Sequence, residues 1–207
     1  MAAAGRLVLA TGNRGKAREI STLLAPQWEV LLQTDLGVQP VAETGSSFVE
    51  NALLKARHAA AATGLPALAD DSGLEVDALD GAPGVHSARY AGEGASDAQN
   101  LQRLLDALRD VPAGGRTARF RCVLAWVRTA DDPQPLLAEG SWEGRIALAP
   151  RGSGGFGYDP VFEDARSGLT AAELAPGQKN SLSHRGQALA LLRRLLLSRT
   201  GHDLTRS

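Results

Sequence analysis

Apolar and polar positions along the chain form short apolar runs separated by amphipathic stretches. Leu7 to Ala10 is apolar on both faces, which predicts a strand buried inside a sheet. A helical pattern over Ala17–Leu24 follows, and Trp28–Gln33 predicts a second strand closed at Asp35-Leu36-Gly37. A long helix is expected from about Ser47 to Ala62. Phe48, Val49, Ala52, Leu53, Ala56, Ala59 and Ala60 form its apolar stripe, and Gly64-Leu65-Pro66 stops it. A short strand from Pro66 to Ala69 is expected to end in the turn formers Asp70-Asp71-Ser72-Gly73. Gly81 to Gly92 is irregular, and Ser96 reads as the N-cap of a helix through Leu108. Arg119–Val127, Pro135–Glu139 and Trp142–Leu148 predict long strands, turned through Asp131-Asp132-Pro133 and bent near Gly140. A last helix runs from Ser183 to about Ser198. The alternation makes an α/β chain.

The length of 207 residues suits one domain, or one domain with two lobes, and allows a sizeable core. A net charge of -1 argues against a non-specific nucleic-acid binder, so any anion site is a local concentration of charge. The single Cys122 excludes an internal disulfide and a cysteine metal cluster, which fits a reducing cytosol. Met1 to Gly5 is too short and too weakly apolar for a signal peptide. Arg193 and Arg194 break the leucine-rich end, so no membrane span is expected.

Candidate chemistry begins after the first strand, at Thr11-Gly12-Asn13-Arg14-Gly15-Lys16. A strand, a glycine turn and a helix start aim backbone N–H groups and the positive end of the helix dipole at one place. Lys16 and Arg14 add full charges, and a phosphate chain is the simplest ligand. A P-loop needs glycines five apart and a hydroxyl after the lysine, whereas Gly12 and Gly15 are three apart and Ala17 follows Lys16. Any metal must therefore be held from elsewhere. The plain alternative is an ordinary turn with two solvated cations.

Asp70 and Asp71 at a strand end suit a hard cation beside phosphate, against the alternative of an Asp-rich turn. Asn51 and Lys55 lie four apart on one helix face and Glu50 on another; all three read as solvated surface. In Gly152–Pro160, Phe156 and Tyr158 sit among glycines, where they either stack on a base or fold back onto the protein. His184 and Arg185 open the last helix, where the dipole disfavours cations and a ligand's acceptors would favour them.

With these residues in place, the chain resembles the inosine triphosphate pyrophosphatase family, in its bacterial XTP/dITP diphosphatase form. The blocks that carry the resemblance span nearly the whole chain: TGNRGKAREI at 11–20, QTDLGV at 33–38, ETGSSFVENALLKARHAA at 43–60, ADDSGLEVDAL at 69–79, GAPGVHSARYAG at 81–92, ARFRCVL at 118–124, GGFGYDPVF at 154–162 and SHRGQAL at 183–189. The resemblance implies a long, curved, mixed sheet flanked by helices in two lobes of a single domain, with the nucleotide in a central cleft. It also implies a homodimer, a need for Mg²⁺, and hydrolysis of ITP, dITP and XTP to the monophosphate and pyrophosphate.

Carried over by position, Thr11, Gly12, Asn13, Arg14, Gly15 and Lys16 hold the triphosphate, and Asp71 is the metal-bound carboxylate and catalytic base. Ser72, Phe156, Gly157, Tyr158, Asp159, Lys179, His184 and Arg185 contact the nucleotide, and Lys16 and Lys179 absorb charge on the leaving pyrophosphate. Many relatives have two acids before Thr-Gly where this chain has Ala42-Glu43, so Glu43 is the second metal carboxylate. The rivals are a Maf-like pyrophosphatase of different base preference and a non-catalytic nucleotide sensor. Carboxylates beside a polyanion speak against the sensor, because binding alone gains little from them without a metal.

Overall fold

The computed structural model describes residues 5–24 and 28–203. Apart from Gly5, the stretch weighed as a signal peptide lies outside the described residues. In chain order the elements are β1 (Gly5–Leu9), α1 (Arg14–Leu24), β2 (Trp28–Leu32), α2 (Phe48–Thr63), β3 (Ala67–Val76), α3 (Asp97–Ala107), β4 (Thr117–Val127), β5 (Leu136–Ile146), β6 (Phe162–Asp164), α4 (Pro176–Leu182) and α5 (His184–Asp203). The strands form one six-stranded sheet in the order β2-β1-β3-β4-β5-β6. β1 runs parallel to β2 and β3, with Leu7 opposite Val30 and Val8 opposite Ala67, and β5 runs antiparallel to β6. The sheet is therefore mixed, as expected. No described helix is long and apolar enough to cross a membrane.

Local chemistry fixes the helix ends where the sequence placed them. Ser47 Oγ accepts from Glu50 N, and Gly64 takes the left-handed conformation (φ 67°) that closes α2. At α3, Ser96 and Gln99 form a reciprocal capping box.

Three elements depart from expectation. α1 begins at Arg14, three residues before Ala17, because Asn13 caps it: Asn13 Oδ1 accepts from Lys16 N at 3.1 Å. β3 does not end at Asp70 but continues to Val76, carrying both aspartates and Ser72 inside the strand. β5 passes straight through Gly140. Ala138, Gly140 and Trp142 are buried in turn, so the glycine keeps the two-residue period and makes no bend. The sequence reading also had no separate α4 or β6.

The chain divides into two compact units: Met1–Asp71 with Cys122–Gly140 and Arg185–Ser207, and Ser72–Arg121 with Ser141–His184. In the first unit one core gathers Leu7, Leu9 and Leu68 with Ala17, Ile20 and Leu24 of α1 and Ala188, Leu189 and Leu192 of α5. α2 packs on β1 through small residues; Ala52, Ala56, Ala59 and Ala60 are all buried. In the second unit Leu74, Val76, Phe120, Trp142 and Phe162 meet Leu104 of α3 and Leu108, which caps its C-terminus.

Cys122 lies in the first core, where burial, helped by the Asp70 charge, pushes its thiol up to about 12. The expected result is no reaction of the native protein with a thiol reagent at pH 8 and one equivalent in guanidinium. An unfolded cysteine ionises near about 8.5. Stability therefore falls as pH rises from there toward the folded value, because only the unfolded state releases the proton. Rapid native labelling at pH 8 would contradict this burial.

Candidate functional site

In the first unit, β3 extends past the end of its parallel neighbour β1. Ala10 N still bonds Leu68 O at 2.8 Å; beyond that point the zigzag of β3 sends Asp70 and Asp71 to opposite faces. Asp70 points to the face of α1 and α5. Lys16 Nζ lies 3.1 Å from its Oδ2 and Arg185 Nη2 lies 3.5 Å away, while Arg185 Nη1 pairs with Glu19. Burial alone would raise the Asp70 carboxyl, but Lys16, Arg185 and Lys55 outweigh it and hold it well below the ordinary carboxylate range.

Asp71 points to the face of α2. Lys55 Nζ donates to Asp71 Oδ1 at 2.7 Å and to Glu43 Oε1 at 2.7 Å. Asn51, one turn earlier, donates to Asp71 Oδ2 at 3.3 Å and accepts from Gly45 N at 2.8 Å. That amide ties the Glu43 loop to Asp71 and requires glycine at 45, where a Cβ would meet Asn51 Oδ1 at 2.7 Å. Burial raises the Asp71 carboxyl, and Glu43 adds to the rise against the pull of Lys55. Burial disfavours charge on Lys55, yet Asp71, Asp70 and Glu43 together raise it, so the ammonium is held charged between two carboxylates.

The Thr11–Lys16 segment turns out half loop and half helix. Asn13 N donates to Thr11 Oγ1 at 3.1 Å, and Lys16 N is taken by the Asn13 cap. Arg14, Gly12 and Asn13 are exposed, and a Cβ at Gly12 would touch only Pro40 at 3.9 Å. The protein itself leaves that backbone open to approach. Glu50 is the solvated surface residue that it was read as, accepting from Ser46.

In the second unit, Asp159 Oδ2 accepts from Phe156 N at 2.7 Å and from Lys179 Nζ at 2.8 Å. Gly157 (φ 60°) donates to Asp97 Oδ2 at 2.8 Å. A Cβ on Gly155 would collide with Asp159 Oδ2, so this turn is shaped around that carboxylate. Lys179 Nζ stands 5.2 Å from the centre of the half-buried Phe156 ring. Tyr158 folds back: it is buried in the second core, and its hydroxyl donates to Ser87 O at 2.8 Å. Of the two rings, Phe156 alone stays placed to stack. His184 is buried and stacked on Phe120 at 4.8 Å, and Ser72 is half-buried in β3.

Several expectations therefore change. Asp70 and Asp71 do not form one strand-end pair; Asp70 is ion-paired with Lys16 and Arg185, and Asp71 with Lys55. Arg185, expected at the nucleotide, is turned to Glu19 and Asp70. Lys179 is grouped with Asp159 and Phe156. Asn51 and Lys55, read as solvated surface, are at the centre of the carboxylate site. One signal could have found Lys55: among 22 Lys and Arg residues only three are lysines, Lys16, Lys55 and Lys179. Each of them is paired with an aspartate: Lys16 with Asp70, Lys55 with Asp71 and Lys179 with Asp159.

The first unit thus carries two carboxylates around one cation, and the second, taken by itself, carries a ring beside an ammonium, on a mixed α/β sheet of enzymatic type. The model of the Ham1 family matches residues 7–195. A dITP/XTP pyrophosphatase of Shigella flexneri is 60% identical over 188 residues, covering 90% of this chain and 95% of its own. One from Methylococcus capsulatus is 61% identical over 197 residues, covering 95% and 98%. A solved HAM1 protein from Coxiella burnetii superposes with a TM-score of 0.86 at 51% identity, covering 94% of this chain and 99% of that one. The chain belongs to the Ham1 family.

Proposed function

We propose that the protein is a nucleoside-triphosphate pyrophosphatase that hydrolyses dITP, XTP and ITP to the monophosphate and pyrophosphate, cleansing the nucleotide pool. The observation that carries this reading is Asp71: a buried, upward-shifted carboxyl facing a second carboxylate and a lysine, in a chain about 60% identical to proteins named for that reaction.

Glu43 and Asp71 fit a divalent metal in donor chemistry and in placement, since both already converge on one cation. Among the described residues no group of three or more His, Cys, Asp or Glu is placed to hold a metal. Two carboxylates completed by phosphate and water are the usual holding of Mg²⁺. When bound there, it would polarise phosphoryl oxygens and help to acidify a water.

The remaining steps belong to the chain. Asp71 accepts the proton of a water that attacks the α-phosphorus, and the bond from that phosphorus to the bridging oxygen breaks. The negative charge that collects on the departing pyrophosphate is met by Lys16, Arg14 and the open amides of the Thr11–Lys16 segment. Asp70 keeps Lys16 in place on the α1 face of the sheet. Phe156 offers a ring face for the base, and Lys179 Nζ beside it offers a donor. Arg185 reaches a base only by exchanging Glu19 and Asp70 for it. A homodimer and a cytoplasmic location belong to the same reading, on the family resemblance.

An ammonium donates and never accepts. Hypoxanthine and xanthine present a 6-oxo acceptor, whereas adenine presents an amino donor. Sites built on such hydrogen bonds can discriminate by about 10⁴ or more. Guanine shares the 6-oxo group and must be rejected at its 2-amino group. Pyrophosphate release measured over a nucleotide panel is expected to give ITP, dITP and XTP kcat/KM values far above ATP. Comparable values for ATP and ITP would overturn the base assignment, and binding without pyrophosphate from any nucleotide would favour the sensor.

A further inference from the structure

We propose that Lys55 is a built-in counter-cation of the metal site, which a divalent metal must displace from Glu43 and Asp71. The proposal rests on the reading of those two carboxylates as metal ligands, and it concerns what the protein does before the metal arrives. A surface lysine ordinarily leans toward one carboxylate and stays solvated. Lys55 instead lies 2.7 Å from an oxygen of each, with its side chain only 13% exposed. Asn51 pins the second oxygen of Asp71 from the preceding turn of α2, so the carboxylate is oriented toward the ammonium from both sides. The choice of residue adds to the argument. With three lysines against nineteen arginines, a lysine stands where a compact charge on a flexible stem is needed.

Metal and ammonium compete for the same oxygens. Mg²⁺ binds carboxylate oxygen at about 2.0–2.1 Å, so a cation seated on Glu43 Oε1 and Asp71 Oδ1 would lie within a few ångströms of an unmoved Lys55 Nζ. Two cations at that separation repel, and the four-carbon stem lets the ammonium leave. A phosphate chain entering with the metal offers it a new anionic partner. In the nucleotide-free protein one ammonium then offsets half the charge of the two acids and occupies their facing oxygens, which lowers metal affinity, and metal is taken up together with substrate. Removing Lys55 has a sign that distinguishes it from a residue helping to hold the metal: metal binds tighter, although the apo protein is weaker.

The test uses the full-length, nucleotide-free protein. Mn²⁺ binding is measured by electron paramagnetic resonance on the wild type and on Lys55→Met. The expected dissociation constant is at least roughly tenfold lower in the variant, the order set by deleting one full charge a few ångströms from the metal. Melting of the metal-free variant is expected below the wild type, with a larger rise on adding Mn²⁺. Equal or weaker Mn²⁺ binding by Lys55→Met overturns the proposal. The wild type alone also decides it, should the variant not fold. With ¹³C-lysine the chain gives three ε-methylene signals, and one must move saturably on titration with Mg²⁺; three unmoved signals overturn the proposal. Pyrophosphate release with unchanged Mn²⁺ binding removes this inference alone. A wild type that neither binds Mn²⁺ beside a nucleotide nor releases pyrophosphate removes the metal reading beneath it.

Discussion

Asp71→Asn is expected to lower kcat for ITP by several orders of magnitude while leaving nucleotide binding largely intact. The substitution keeps the shape of the side chain. Its amide oxygen can still accept from Lys55, so the Glu43–Lys55 pairing and the tie through Asn51 need not collapse. What disappears is the negative charge and the basic oxygen. General-base assistance alone is worth about 10²–10⁴ in rate. The loss of a charged metal ligand adds to that. Lys16 and Arg14, which face the phosphates in this reading, are untouched. Turnover with Mg²⁺ and calorimetric ITP binding without turnover separate the two effects. Near-normal kcat in the variant would place the base on another residue.

Asp70→Asn is expected to act on stability instead. Asp70 is fully buried and is approached by Lys16 and by Arg185, itself 3% exposed. Removing one partner of a buried ionic cluster leaves charge uncompensated and costs about 3–5 kcal/mol. Glu19 remains on Arg185 and softens the loss, so the lower end is expected. Urea unfolding should show a lower midpoint with an unchanged slope. A change below about 1 kcal/mol, within the range of solvated surface pairs, would mean that the cluster is hydrated and not sealed.

These two aspartates also mark where the sequence stops being legible. Helix ends were readable because their determinants lie three residues apart, as in Ser47 with Glu50 and Ser96 with Gln99. The apolar run of β1 and the alanine stripe of α2 declare their burial by composition. Asp70-Asp71-Ser72-Gly73 reads locally as a turn, since each residue is a turn former. It is strand because cations distant in the chain, Lys16, Lys55 and Arg185, neutralise the acids that would otherwise resist burial. Periodicity could place Asn51 and Lys55 on one face of a helix, but not say what faced them. The same limit applied to Tyr158: a glycine-rich loop left stacking and folding back equally open, and the hydroxyl's hydrogen bond to Ser87 O, far away in the chain, accompanies its burial. The scarcity of lysine was the legible clue that local pattern could not supply.

The continuation of β3 makes the site a matter of counting. Leu68 is locked against β1 through Ala10 N, and from there even steps fall on the side of α1 and α5, odd steps on the side of α2. Asp70 and Asp71 owe their different duties to that parity, not to any chemical difference between them. One residue inserted after Leu68 would deliver the reactive acid to Lys16 and Arg185 and its neighbour to Lys55, with no side chain lost. Two inserted residues would restore the faces and merely lengthen the reach. A stretch of this kind is guarded against frame changes of odd size more strictly than against many substitutions, because its meaning lies in position along an alternating backbone.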